Sequence, residues 1–242
     1  MLGSDQILGK VIRLPFKLLP KGSSIPFVQK SLRGMKWIIG SGPHGCWLGT
    51  AEKEKRVIFE KCLRANNVVY DIGANVGYYS LMSSVGVGKN GTVHAFEPSP
   101  RNINFLKKHL EINHINNVTI HEVAVSDKVG TVHFLDDGDP VARRISKTGG
   151  LEIETVSIDI LIDTNIIAPP QLIKIDVEGA ELEVLRGAKN LLSKNKPELF
   201  VETHDCFKEN IHQNCIDFLK ELGYNVKELE YNGSLGEIYA ST

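Results

Sequence analysis

Val68-Val-Tyr-Asp71-Ile-Gly73-Ala-Asn75-Val-Gly77 is the stretch on which the fold turns. A short apolar run ends on an acidic residue, passes through Gly73 to Gly77, and continues from Val76 to about Val85 with helical composition. This is a strand, a tight turn and a helix, with Gly73 making the turn and Gly77 letting the helix approach the strand. The middle position of a dinucleotide-binding fingerprint is a glycine, because backbone must approach a pyrophosphate there. Here it is Asn75, which argues against NAD or FAD and offers an amide to a polar ligand without phosphates. Asp71, at the strand tip, is an acceptor suited to an ammonium group.

Downstream the same alternation recurs. Asn90-Gly91 is a turn before the strand Thr92–Phe96, and Ser99-Pro100 opens a helix to about Asn113. Val118–Val125 reads as a third strand. Residues 130–160 interrupt the pattern with two strand-like pieces, Thr131–Leu135 and Glu154–Ile158, around a polar loop containing Asp136, Asp137 and Asp139. It resumes with a strand at Leu172–Ile175, a helix through Leu182, Leu185, Ala188 and Leu192, and a strand at Leu199–Val201. A further helix carries Phe207, Ile211, Cys215, Phe218, Leu219 and Leu222 at helical spacing. Asn225–Tyr231 and Glu237–Ala240, around Asn232-Gly233, form a closing antiparallel hairpin. Five strands alternating with helices predict an α/β fold with a doubly wound, mostly parallel sheet.

Upstream, residues 51–65 have helical composition, whereas residues 1–36 hold seven cations against Asp5 alone. The stretch Trp37–Gly49 is too rich in glycine for a helix. Residues 1–50 therefore read as a basic, Gly/Trp-containing extension and residues 51–242 as the main domain. Three roles are open to the extension: a solvated arm, a cap in which Trp37, His44 and Trp47 wall a substrate pocket, or a weak membrane-surface tether built on Val11, Leu14, Phe16, Leu18 and Leu19. Pro15 and Pro20 break the helix a tether would need.

The chain has 242 residues, 42% hydrophobic and 24% charged, with formal net charge −1. That length carries a substantial core without staples, and that balance gives no overall pull toward nucleic acid. Cys46, Cys62, Cys206 and Cys215 are far apart, which argues against a disulfide scaffold or a structural zinc site and fits a reducing, cytoplasmic setting. No apolar run approaches the ~18 residues of a membrane span, and the N-terminus lacks the pattern of a signal peptide.

In a doubly wound sheet, ligands bind beyond the carboxyl ends of the strands. Glu97, ending the second strand about 20 residues after the glycine turn, is placed to accept hydrogen bonds from a ribose diol. An adenosine ligand with an ammonium group and no phosphates is S-adenosylmethionine. Val69–Gly77, Ala95-Phe-Glu97-Pro98, Ala124-Val-Ser-Asp127 and Ile173-Lys-Ile-Asp176-Val-Glu178-Gly179-Ala-Glu181 together resemble the FkbM family of class I methyltransferases, over about residues 68–205. The resemblance implies a Rossmann-like, seven-stranded sheet with a reversed last strand, S-adenosylmethionine as donor, and O-methylation of a sugar, glycan, glycolipid or small natural product. It implies that Asp71, Gly73, Ala74, Asn75 and Gly77 cradle the methionine part, that Glu97 and Pro98 flank the ribose, and that Ala124 and Val125 lie beside the adenine.

On the acceptor side, Asp176 follows the fourth strand, with Glu178 and Glu181 at the start of the next helix, and Glu202 and His204 follow the fifth. An alcohol needs a base as it attacks, so Asp176 or His204 is the catalytic candidate. Glu178 and Glu181 equally suit a helix N-terminus, and His204 a solvent-facing position. Asp176, Glu202 and His204 also offer a donor set for Mg²⁺. The Asp-Asn pair of catechol-type enzymes is absent after the fifth strand, so no metal requirement is expected. Two alternatives use the same sheet: an NAD(P)-linked oxidoreductase, and a non-catalytic nucleotide-binding module.

Overall fold

The computed structural model describes residues 20–135, 144–146 and 150–242. The basic residues before position 20, the tether segment among them, and the loop of Asp136, Asp137 and Asp139 lie outside the described residues. In chain order the elements are β1 (Ser24–Pro26), β2 (Lys36–Ile38), α1 (His44–Leu48), α2 (Lys53–Cys62), β3 (Val68–Ile72), α3 (Tyr78–Val87), β4 (Thr92–Phe96), α4 (Pro100–Ile112) and β5 (Val118–His121). There follow β6 (Ala124–Val125), β7 (Gly130–Leu135), β8 (Arg144–Ser146), β9 (Leu151–Val156), α5 (Ile158–Asp163) and β10 (Leu172–Ile175). The chain closes with α6 (Glu181–Gly187), α7 (Lys189–Lys194), β11 (Glu198–His204), α8 (Ile211–Glu221), β12 (Asn225–Tyr231) and β13 (Leu235–Ser241).

The main sheet has seven strands in the order β12-β13-β11-β10-β3-β4-β5. The five strands from β11 to β5 are parallel, and β13 runs antiparallel to both β11 and β12. This is the doubly wound, Rossmann-like sheet the sequence predicts, including its reversed last strand. Order changes direction between β3 and β10, so the crevice between their carboxyl ends is where a ligand is expected.

Strand alternation decides which side chains reach which layer. Tyr70, Ile72, Phe96, Ile173, Ile175, Val201 and Ile238 point to one face and pack with α5, α6, α7 and α8. Val69, Val93, Ala95, Leu172 and Phe200 point to the other and pack with α2, α3 and α4. Asp71 and Lys174, paired across β3 and β10, alternate onto this second face and are buried there.

Residues 20–50 are built into that second core. Trp37 is fully buried and stacks on His109 of α4, with ring centroids 4.2 Å apart. His109 accepts the Ile38 N–H at Nε2 (3.0 Å) and donates from Nδ1 to the Val76 carbonyl (2.7 Å). Trp47 is buried as well. A solvated arm does not describe this segment.

Several boundaries differ from those read in the sequence. Trp37–Gly49 does contain a helix, the five-residue α1, ended by Gly49 in the left-handed conformation at φ 73°. The expected strand Val118–Val125 is two: β5 joins the main sheet, while β6 pairs with β9 in a separate four-stranded sheet, order β6-β9-β7-β8. The expected piece Glu154–Ile158 is β9, ending at Val156, and Ile158 instead opens α5. The long helix through Leu192 is α6 and α7, broken at Ala188 (φ −113°), where Ser157 Oγ donates to the Gly187 carbonyl (2.8 Å). β11 runs on to His204 because β13 pairs with it from Leu199 to His204, so Glu202 and His204 lie within the strand.

Candidate active site

The turn after β3 needs its glycine. Gly73 has φ 80°, and a Cβ there would lie 1.7 Å from the Asp176 carbonyl oxygen. The N–H groups of Gly73 and Ala74 both donate to the Phe96 carbonyl at 3.0 Å, which fixes the turn against the end of β4. Asn75 also has positive φ, 51°, and its N–H donates to Glu97 Oε2 at 2.8 Å. Glu97 Oε1 takes the Ser99 N–H (2.9 Å) and Asn102 Nδ2 (3.1 Å). One buried carboxylate therefore joins the β3 turn to the start of α4. Gly77, at φ 95°, sits where a Cβ would come within 2.4 Å of Leu106 Cδ1, so α3 packs closely on α4.

Gly73, Asn75, Glu97, Pro98, Ala124 and Val125 line one cleft, with Ile72, Phe96 and Val123 as apolar surface. Asp176 and Glu178 line the same cleft. The break between β5 and β6 is what carries Val123–Val125 to it. Asp71, Ala74 and Gly77 do not line it. Asp71 is fully buried, accepts from Ser80 Oγ at 2.6 Å and faces Lys174 Nζ at 3.7 Å. It supports the turn from below, which corrects the expectation that it meets a ligand's ammonium group.

Beyond the cleft lies a network of ionisable side chains at the carboxyl edge of the sheet. Lys174 Nζ donates to the Gly73 carbonyl (3.2 Å) and to Asp176 Oδ2 (3.1 Å). His204 is buried; its Nδ1 donates to Glu181 Oε1 at 2.7 Å. Its Nε2 faces Glu178 Oε2 at 3.3 Å, Asp176 Oδ1 at 3.8 Å and Glu202 Oε1 at 3.9 Å. Lys55, reaching in from α2, pairs with Glu202, with Glu237 Oε1 (2.8 Å) and with Glu52 (3.2 Å). Tyr79 donates to Glu52 (2.6 Å), and the ammonium groups of Lys55 and Lys174 lie 5.6 and 5.0 Å from its ring centre.

The charge states follow from these neighbours. Burial opposes ionisation of Asp176, but Lys174, Lys55 and His204 outweigh it and hold its carboxyl below the usual range. Burial likewise disfavours a charged His204, yet the Glu181 hydrogen bond and the nearby carboxylates raise it to about 9. The carboxylates around it thus favour the imidazolium form, and its burial corrects the reading of His204 as solvent-facing. Burial, reinforced by Asp176, Glu202 and Glu181 against the opposing pull of His204, raises Glu178 to about 7. Glu178 has φ 57°, a costly conformation outside glycine, so a strained backbone holds this carboxyl on the cleft wall. Glu181 accepts the Gly179 N–H (2.9 Å) together with His204, combining the terminus role expected of it with a clamp on the imidazole.

Lys55, Tyr79, Lys174 and Glu237 belong to this network and escape the sequence reading. Lys174 had a signal: a lysine inside the apolar run Leu172-Ile-Lys-Ile175 must find carboxylates if the strand is central. Lys55 had none, since it sits on a helix where most lysines face water. Trp37, His44 and Trp47 are not among the residues lining the cleft.

With this geometry established, the resemblances become informative. The chain is 30% identical over 141 residues to the hexuronic acid methyltransferase AglP of Haloferax volcanii, covering 57% of this chain and 56% of that protein. It is 31% identical over 180 residues to the 31-O-demethyl-FK506 methyltransferase FkbM of Streptomyces tacrolimicus, covering 59% and 67% respectively. Among solved structures, the methyltransferase FkbM of Methylobacillus flagellatus KT superposes with a TM-score of 0.53 at 22% identity, over 72% of this chain and 43% of that one. Residues 71–226, from the buried aspartate of the β3 turn to the start of the closing hairpin, match the model of the methyltransferase FkbM domain, and the chain belongs to that family.

Proposed function

We propose that this protein transfers a methyl group from S-adenosylmethionine to a hydroxyl oxygen of a sugar, glycan, glycolipid or small natural product. The observation that carries the reading is Glu97, a buried carboxylate fixed by the Asn75 and Ser99 amides on the wall of a cleft that also reaches Asp176 and Glu178. Glu97 and Pro98 take the ribose, Phe96, Val123, Ala124 and Val125 the adenine, and the Gly73–Asn75 turn the methionine part. The sulfonium then faces Asp176 and Glu178. Asp176, held ionised by Lys174, orients the acceptor hydroxyl, and Glu178, titrating near neutrality, takes its proton as the oxygen attacks the methyl carbon.

Asp176, Glu202 and His204 offer ligand atoms within 4.8 Å of one another, a spacing that suits a divalent cation. In this proposal Lys55 and Lys174 supply the positive charge to those carboxylates, and turnover survives chelation. The names of both relatives support methylation as the chemistry, and the O-demethyl substrate name of one supports oxygen as its target.

Calorimetric titration tests the donor. The protein should bind S-adenosylhomocysteine and not NADH, and Glu97→Ala should weaken binding by about 1–3 kcal/mol through loss of a charged acceptor. Tight NADH binding would favour the oxidoreductase instead.

A further inference from the structure

We propose that Lys174 is a positioning residue for methyl transfer, its buried ammonium group tying the Gly73 carbonyl of the donor turn to the carboxylate of Asp176. The sulfonium and the carboxylate facing it are thereby held in one fixed relation. This rests on the methyltransferase reading and adds to it the part that joins donor to acceptor.

Lys174 is the one charged residue of β10, set between Leu172, Ile173 and Ile175. Strand alternation sends it to the same side as Asp176, two residues on, and the register of the sheet sets it beside Asp71 of β3. An ammonium group has three N–H donors, and three acceptors surround this one. The Gly73 carbonyl lies at 3.2 Å, Asp176 Oδ2 at 3.1 Å and Asp71 Oδ1 at 3.7 Å. Asp71 in turn accepts from Ser80 Oγ at 2.6 Å, which anchors the ammonium to α3. Burial raises the Asp71 carboxyl in spite of Lys174 and Ser80, which fits its place as the longest of the three contacts.

Two observations separate this arrangement from ordinary structural pairing. The first is energetic. This face of the sheet is otherwise filled by apolar side chains such as Val69, Leu172 and Phe200. A buried ion pair regains little more than its desolvation costs, so stability alone does not account for a lysine here. Burial disfavours its charged form, yet Asp176 and Asp71 outweigh that and raise its pKa above the ordinary value. The second is geometric. The two turns already meet through backbone, since the Asp176 N–H donates to the Ile72 carbonyl at 3.0 Å and Gly73 abuts the Asp176 carbonyl. What backbone leaves unset is the Asp176 side chain, which is 25% exposed. Lys174 holds its Oδ2; without that bond the carboxylate is free to turn toward His204 Nε2, 3.8 Å from Oδ1.

Calorimetric titration of the full chain with S-adenosylmethionine and with S-adenosylhomocysteine tests this, because the sulfur is charged in the first and neutral in the second. The ratio of the two affinities reads what faces the sulfur. Asp176→Asn should lower the preference for S-adenosylmethionine about tenfold. Lys174→Met combined with Asp71→Asn removes one charge of each sign, so the charge balance is kept and only the tie is lost. This pair should lower the ratio about three- to tenfold, and adding Asp176→Asn should lower it no further, since the residues act as a unit. A residue that only supports the fold would weaken both ligands equally. An unchanged ratio in the pair therefore overturns the proposal, as do effects that add in the triple variant. An unchanged ratio in Asp176→Asn overturns it too, because Lys174 would then have no carboxylate to position. If the pair does not fold, Lys174→Met with Asp71→Ser keeps the same balance and is read in the same way. Absence of binding of either ligand by the parent would instead remove the donor assignment on which the proposal rests.

Discussion

Glu178 shows how the fold gives a single residue an environment that its letter does not announce. In the sequence it is one of two acids at a helix start, where complementing the helix dipole is as good an explanation as chemistry. In the fold it sits on the cleft wall in a left-handed conformation, 3.3 Å from His204, with its carboxyl raised to about 7. Its base form accumulates as pH rises through about 7, so turnover should increase over that range and level off above it. Glu178→Gln should abolish this limb and lower turnover by about 10²–10⁴-fold, with affinity for S-adenosylhomocysteine nearly intact. A kcat–pH profile of both proteins checks this; an unchanged acid limb in the variant would assign the titration to another group. The cleft lining at Gly73, Asn75, Glu97 and Pro98 was legible because these residues answer to backbone geometry beside strand ends. The charge states of His204 and Glu178 were not, because they depend on residues more than 20 positions apart brought together by the sheet.

Among the elements, strands were more legible than boundaries. Apolar runs at 68–72, 92–96 and 172–175 declare themselves, but where a run stops depends on neighbours in space. β11 lengthens because β13 lies beside it, and β6 leaves the main sheet because β9 offers a partner. The attachment of β2 to α4 was invisible for a further reason: it depends on a neutral histidine. His109 must accept from Ile38 at Nε2 while donating from Nδ1, and burial lowers its pKa from 6.5 to about 4, opposed by its bond to the Val76 carbonyl. A depressed folded-state pKa means that the contribution is fully present above about 6.5 and is lost as pH falls toward 4. The loss should amount to roughly 3 kcal/mol. Urea unfolding at pH 7 and pH 4.5 should show most of this difference in the native protein and a smaller one in His109→Gln. Equal pH dependence in both would place the acid sensitivity elsewhere, with His94 the next group to examine, since burial also lowers it to about 4.

At the scale of the molecule, composition suggested a boundary near residue 50, and packing joins the two sides of it. Phe27, Trp37 and Trp47 share one core with α2, α3 and α4, so the segment from residue 20 completes the layer over one face of the sheet. Removing residues 1–49 should therefore yield a destabilised protein that exposes this layer, and Trp37→Ala in the full chain should cost about 3–5 kcal/mol in urea unfolding. A truncated form as stable as the parent would contradict that role. No helix among the described residues is long and apolar enough to cross a membrane. The proposed function requires one arrangement, a donor lying from β6 across Glu97 to the Gly73 turn with its sulfur toward Asp176 and Glu178. The most direct measurement is a crystal structure with S-adenosylhomocysteine bound. It should show both ribose hydroxyls on Glu97, the adenine against Val125, and the sulfur at the edge lined by Asp176 and Glu178. A ligand found elsewhere, or one whose sulfur points away from those two carboxylates, would contradict the assignment of this cleft.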